Sequence, residues 1–218
     1  MAFMEKNLET ALVVIDVQND FCPGGHLAVP DGDQVVQPIN QLFENFTHII
    51  FTQDWHPAVH SSFASNHHGF EPYQTVSMPY GSQILWPDHC IQGEQGAEFH
   101  AQLDVNQASV ILRKGTNKDI DSYSAFVEND QKTPTGLHGY LKEHNINQIV
   151  LVGLATDFCV YYSAMDAAAK GYNVLVLIDC CRAIDLDGSL QQAQKAMGTN
   201  GISLITANEL LSSASHEL

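Results

Sequence analysis

Basic residues are scarce in this chain. Nine Lys and Arg stand against 25 Asp and Glu in 218 residues, a formal net charge of −16 with the histidines neutral. So acidic a surface repels phosphate backbones and anionic lipid, which argues against nucleic acid or a membrane surface as partner. Long apolar runs are also missing: none approaches the roughly 20 residues that a membrane-spanning helix needs. The opening MAFMEKNLET has no signal-peptide core, and the closing Ser215-His216-Glu217-Leu218 matches an ER-retrieval tail only superficially, so a cytoplasmic setting is expected. Cysteine is limited to five, an odd number scattered as Cys22, Cys90, Cys159, Cys180 and Cys181. That pattern is unlike a disulfide scaffold and suits reduced thiols. No Gly-x-Gly-x-x-Gly follows the first apolar run, which argues against a dinucleotide-binding dehydrogenase.

What remains is a globular balance of 44% apolar and 16% charged residues. The length fits one domain, 1–218, with a single sizeable core and no repeat or linker. The first apolar run, Ala11-Leu12-Val13-Val14-Ile15, is continuous rather than alternating, as in a strand covered on both faces, and it ends at Asp16. After the loop Cys22-Pro23-Gly24-Gly25, Asp33 is placed to cap a helix whose apolar positions Val35, Val36, Ile39, Leu42, Phe43 and Phe46 keep a near-3.6 spacing. A second strand, His48 to Thr52, runs into Asp54. Residues 53 to about 107 then carry six histidines and four prolines with little periodicity, and are read as a functional, metal-binding insertion.

Regular pattern resumes with a strand at Ser109 to Arg113 that leads into Lys114. A helix follows from Gly136 to His144, then a strand from Gln148 to Gly153. Thr156 and Asp157 are candidate caps of a helix that ends near Lys170 at Gly171. Three more elements complete the alternation: a strand from Asn173 to Asp179, a helix around Gly188 to Met197, and a strand from Ile202 to Thr206 before a last helix from Asn208. Apolar strands alternating with helices predict an α/β doubly wound, mostly parallel six-stranded sheet with helices on both faces. Ligands of such sheets sit beyond the carboxyl ends of the strands.

Those ends carry reactive side chains: Asp16, Asp54, Lys114 and, just past the fourth strand, Cys159. In the first turn of a helix, Cys159 would sit at the positive end of the dipole, where a thiolate is favoured, and a nearby Lys114 would add to the effect. The alternative reading is a buried, inert cysteine, as expected for Cys22, Cys90, Cys180 and Cys181. Asp16 is the candidate to take and return the thiol proton. Asp54 and His56 are two apart, so they share a side of an extended segment. With His89 they would make two imidazoles and a carboxylate, a set that suits Zn²⁺, Fe²⁺ or Mn²⁺. Cys90 competes as a thiolate ligand. His60, His67, His68, His100, His138, His144 and His216 read as surface histidines.

Four strings occur in order: Val14-Ile15-Asp16-Val17-Gln18-Asn19-Asp20-Phe21, Gln53-Asp54-Trp55-His56-Pro57, Trp86-Pro87-Asp88-His89-Cys90 and Gly153-Leu154-Ala155-Thr156-Asp157-Phe158-Cys159-Val160, with Arg113-Lys114-Gly115 between the last two. Together, over about residues 10 to 210, the chain resembles the bacterial nicotinamidase (pyrazinamidase) branch of the isochorismatase-like cysteine hydrolases. The resemblance implies hydrolysis of nicotinamide to nicotinate and ammonia, in NAD salvage, by a Cys159–Asp16–Lys114 triad. It implies one divalent metal ion on Asp54, His56 and His89 that anchors the pyridine nitrogen. It implies a cis peptide before Ala155, an oxyanion hole from the N–H groups of Ala155 and Cys159, and a pocket wall of Phe21, Leu27, Trp86 and Tyr123. Some members carry a further metal-contacting histidine between the Asp-x-His pair and the later histidine; its spacing differs among members, and His60 is not assigned to it. A related amide or isochorismate as substrate, a metal-bound hydroxide as nucleophile, a silent binding protein and a non-haem iron oxygenase stay open as other readings. The chain is expected to act as a monomer or homodimer.

Overall fold

The computed structural model describes residues 8–213; the opening residues 1–7 and the tail motif at 215–218, with His216, lie outside them. Six strands form one sheet: β1 (Thr10–Ile15), β2 (His48–Asp54), β5 (Val110–Lys114), β6 (Gln148–Leu154), β7 (Asn173–Arg182) and β8 (Ser203–Ile205). Their order is β5-β2-β1-β6-β7-β8, and every neighbouring pair is parallel. The chain winds outward from β1 in one direction to β5, then returns to β6 and winds the other way. The reversal falls between β1 and β6, where such a sheet opens a crevice at its carboxyl edge.

Helices cover both faces. Leu12, Val14, Phe51, Val150 and Val152 pack on one side with Val36, Ile39 and Leu42 of α1 (Val36–Leu42), and α5 (Ala207–Ser213) lies against the same side. Ala11, Val13, Ile15, Ile149 and Leu151 pack on the other with α2 (Leu137–Glu143), α3 (Tyr161–Ala169) and α4 (Ser189–Thr199). The apolar residues of β1 are fully buried because both faces are covered, and each of Leu12, Val13, Val14 and Ile15 contributes roughly 2 kcal/mol by leaving water. The edge strand β5 is half exposed, which explains its mixed composition.

Three local expectations are corrected. Asp33 caps nothing: it lies inside a 3₁₀ turn (Gly32–Val35) that runs directly into α1, and Val35 precedes that helix without a side-chain cap. Thr156 and Asp157 do not cap α3 either, because Thr156–Val160 forms a π-helical turn with Ala155 as its N-cap. The segment 53–107 is not wholly irregular; an antiparallel hairpin, β3 (Thr75–Met78) and β4 (Gly81–Ile84), folds within it. Its burial is nearly all intermediate or exposed, so it carries no strong apolar alternation to read.

Candidate active site

Strand register brings the reactive groups together. Asp54 and Lys114 are cross-strand partners at the ends of β2 and β5, so their side chains emerge together. Asp16 follows β1 with φ +46°, which turns its side chain back toward the sheet end. Gly153 lies opposite Ile15 with φ +112°, and a β-carbon there would drive into the Ile15 carbonyl. The close approach of β6 to β1 therefore requires glycine. The Leu154–Ala155 peptide beyond it is cis.

The Lys114 ammonium is the hub. It lies 2.9 Å from Asp16 Oδ2, pairs closely with Asp54 Oδ1, donates to the Ser122 carbonyl at 2.9 Å and sits 3.5 Å from Cys159 Sγ. Lys114 is 2% exposed and is no solvated strand end. Asp16 Oδ1 accepts the Thr52 hydroxyl at 2.6 Å, and the Asp16 N–H donates back to Thr52 Oγ1 at 3.1 Å. Carboxylate oxygens of Asp16 and Asp54 lie within 4.8 Å of the Cys159 sulfur.

Burial rules the electrostatics here. It pushes the Asp16 carboxyl up against the pull of Lys114. It also pushes the Cys159 thiol well up, with the Lys114 charge opposing and both carboxylates reinforcing the shift. Burial and the two carboxylates thus oppose the thiolate that the sequence leads one to expect at Cys159, while the Lys114 ammonium favours it. Burial would raise Asp54 too, but Lys114 and His56 hold it far below the usual carboxylate range.

Asp54, His56 and His89 form a second group, with one donor atom each lying within 4.8 Å of the others. His56 Nε2 is 3.5 Å and His89 Nε2 3.9 Å from Asp54 Oδ2. The Nδ1 atoms lie 3.0 Å from the Gly115 carbonyl and 2.8 Å from the Pro87 carbonyl. A carbonyl only accepts, so each Nδ1 carries a proton and each Nε2 is turned toward the Asp54 carboxylate. That is the donor set and outer-shell geometry of a divalent metal site. Gly115, at φ +65°, makes room for the His56 ring, which a β-carbon would strike. Burial holds His89 down at about 4, helped by the His56 charge, so it is neutral near pH 7.

Cys90 turns its sulfur to the Gly96 carbonyl, 4.0 Å away, and joins none of the ligand groupings among the described residues. His60 is not a surface residue. It is fully buried, and its ring centroid is 4.4 Å from that of His56.

Phe21, Leu27, Trp86 and Tyr123 surround one narrow cleft that reaches Asp54, His89, Ala155 and Cys159. Trp86 meets Phe158 edge-on at 4.9 Å, and its indole N–H donates to the Tyr123 hydroxyl at 3.0 Å. A larger, polar hollow around His26, Glu94 and His100 holds none of these reactive groups. Sequence reading singled out neither Phe158 nor Asp121 and Ile184, which also line the cleft. Asp157 is no cap; it accepts the N–H groups of Ile184 and Asp185 at 3.0 and 2.7 Å and so ties the Cys159 turn to the loop before α4. The signal for Asp157 lay 27 residues away and was not local.

A nucleophile, a base and a buried cation beside a metal-type donor set can carry acyl transfer on a small ligand. Among the described residues no helix is long and apolar enough to cross a membrane. The isochorismatase domain family matches residues 10–209. The chain is 52% identical to a nicotinamidase from Acinetobacter baylyi over 208 residues, covering 95% of this chain and 97% of that one. A solved nicotinamidase/pyrazinamidase from Acinetobacter baumanii superposes with a TM-score of 0.93 at 51% identity, covering 94% and 100% of the two chains. A pyrazinamidase from Pyrococcus horikoshii, solved in complex with zinc, superposes at 0.74 with 32% identity, covering 91% and 99%. Fold, strand-end residues and these likenesses converge: the chain belongs to the isochorismatase family.

Proposed function

We propose that this chain is a nicotinamidase, hydrolysing nicotinamide to nicotinate and ammonia, with pyrazinamide-like amides as further substrates. The observation that carries the reading is the single Lys114 ammonium in reach of both Cys159 and Asp54, which joins the triad to the metal-type group inside one aromatic cleft. The activities of the relatives support the substrate, and the zinc complex of one of them supports a divalent ion. Residues 1–218 are read as one catalytic domain, with 53–107 supplying His56 and His89.

Asp54, His56 and His89 would hold the ion, which when bound supplies a Lewis-acid anchor for the pyridine nitrogen. Phe21, Leu27, Trp86 and Tyr123 wall the ring and hold its carboxamide beside Cys159, making attack effectively unimolecular. Asp16, whose raised basicity suits proton transfer, takes the thiol proton as sulfur bonds to the amide carbon. The N–H groups of Ala155 and Cys159 receive the developing oxyanion, worth about 3 kcal/mol per donor in comparable sites. The carbon–nitrogen bond breaks and Asp16 returns the proton to the departing ammonia. Water, deprotonated by Asp16, then attacks the thioester, and nicotinate leaves with the thiol restored. Lys114 favours the ionised carboxylates between these proton transfers.

Ammonia release from nicotinamide, measured before and after chelation and after zinc is restored, tests the reading. Release that stops on chelation and returns with zinc is expected. No release, or release indifferent to chelation, contradicts the activity or the anchor respectively.

A further inference from the structure

Three alternate residues leave β1 together: Asp16, Gln18 and Asp20. Asp16 enters the Lys114–Cys159 cluster. Gln18 is fully buried, and its amide grips the Asp54 peptide on both sides. Its Oε1 accepts the Asp54 N–H at 2.8 Å, while its Nε2 donates to the Asp54 carbonyl at 2.8 Å and to the Ala97 carbonyl at 2.9 Å. Both amide donors are thereby used.

Asp20 makes a second grip. Its Oδ2 accepts the N–H of Cys90, the residue after His89, at 2.7 Å. Its Oδ1 accepts the His26 N–H at 3.1 Å and pairs with the His26 ring at 3.2 Å. The Cys90 carbonyl in turn accepts the His56 N–H at 3.0 Å. The space around Asp20 is tight, since a β-carbon on Gly96 would strike its carboxylate and one on Gly25 its backbone. One five-residue segment therefore includes Asp16, grips the backbone of Asp54 and of the residue after His89, and reaches His56 through the Cys90 carbonyl.

We propose that Gln18 and Asp20 are positioning residues that hold Asp54, His56 and His89 at a fixed offset from the Asp16–Cys159 pair. The inference rests on the reading that those three residues bind a divalent ion. A side-chain ligand inherits every displacement of its own backbone, so gripping the peptide removes freedom that ligand packing alone leaves. Outer-shell groups of this kind are worth about 10–100-fold in metal affinity. An anchor displaced by about 1 Å costs on the order of a hundredfold in rate.

The test compares Gln18→Met and Asp20→Asn with Gln53→Met. Gln53 is also buried and also donates to Ala97 O, at 2.8 Å, but does not grip the Asp54 peptide. Zinc affinity is measured by competition with a chromophoric chelator, alongside thermal melting and nicotinamide kinetics at saturating zinc. Gln18→Met is expected to bind zinc about 10–100-fold more weakly and to lose a further tenfold or more in kcat/KM. Asp20→Asn retains an acceptor for the Cys90 N–H, so its zinc affinity is expected to fall by roughly fivefold. Gln53→Met is expected to melt as early as Gln18→Met yet bind zinc as the unaltered chain does. If Gln18→Met does not fold, Asp20→Asn decides the matter. Zinc affinities within twofold of Gln53→Met overturn the inference, as does an unaltered chain that takes up no zinc, which overturns the metal reading too. An unaltered chain that binds zinc but releases no ammonia overturns only the proposed activity, and zinc affinity still decides the roles of Gln18 and Asp20.

Discussion

Thr52 and Asp16 bond in both directions: the Thr52 hydroxyl donates to Asp16 Oδ1 at 2.6 Å, and the Asp16 N–H donates to Thr52 Oγ1 at 3.1 Å. The first bond stabilises the charged carboxylate and opposes the upward push of burial. Thr52→Val keeps the shape and removes both bonds. The Asp16 pKa then rises further, so the acid limb of the kcat/KM profile moves to higher pH, by about one to two units for a bond worth 1.5–3 kcal/mol. A limb that stays in place in the variant would disconnect Asp16 from the rate.

Lys114 pairs with both Asp16 and Asp54, which are almost wholly buried. Lys114→Met leaves those carboxylates without a cation, at a cost of about 3–5 kcal/mol near pH 7. The cost shrinks as pH falls, because a protonated carboxyl needs no partner; the variant's deficit in urea unfolding at pH 7 should narrow at pH 5. A deficit independent of pH would mean that packing, not charge, explains it.

Trp86 forms the cleft wall and bonds the Tyr123 hydroxyl. Trp86→Phe removes ring area and that bond without touching the triad. The KM for nicotinamide should rise roughly tenfold with kcat within about threefold, as expected when binding shared by ground and transition states is lost. Equal loss in kcat with KM unchanged would assign Trp86 to the transition state instead.

Much of this arrangement is legible in the sequence because a doubly covered parallel sheet writes its strands as unbroken apolar runs, and Asp16, Asp54 and Lys114 end or follow three of them. Cys159 and the Asp54–His56 pair were legible for the same reason: each sits a fixed step from a strand end. What was hidden depends on contacts distant along the chain. Asp157 looks like a cap, but its acceptors are spent on Ile184 and Asp185. His60 reads like the other histidines of its segment, and contacts with the His56 and Phe63 rings that the sequence does not display accompany its burial.

The central claim is that the Cys159 sulfur becomes acylated during turnover. Acid-quenched reactions with nicotinamide, digested and analysed by mass spectrometry, test it most directly. The account predicts a nicotinoyl adduct on the peptide containing Cys159, absent from Cys159→Ala, which should release ammonia at less than about a thousandth of the normal rate. A Cys159→Ala variant with near-normal ammonia release would contradict it.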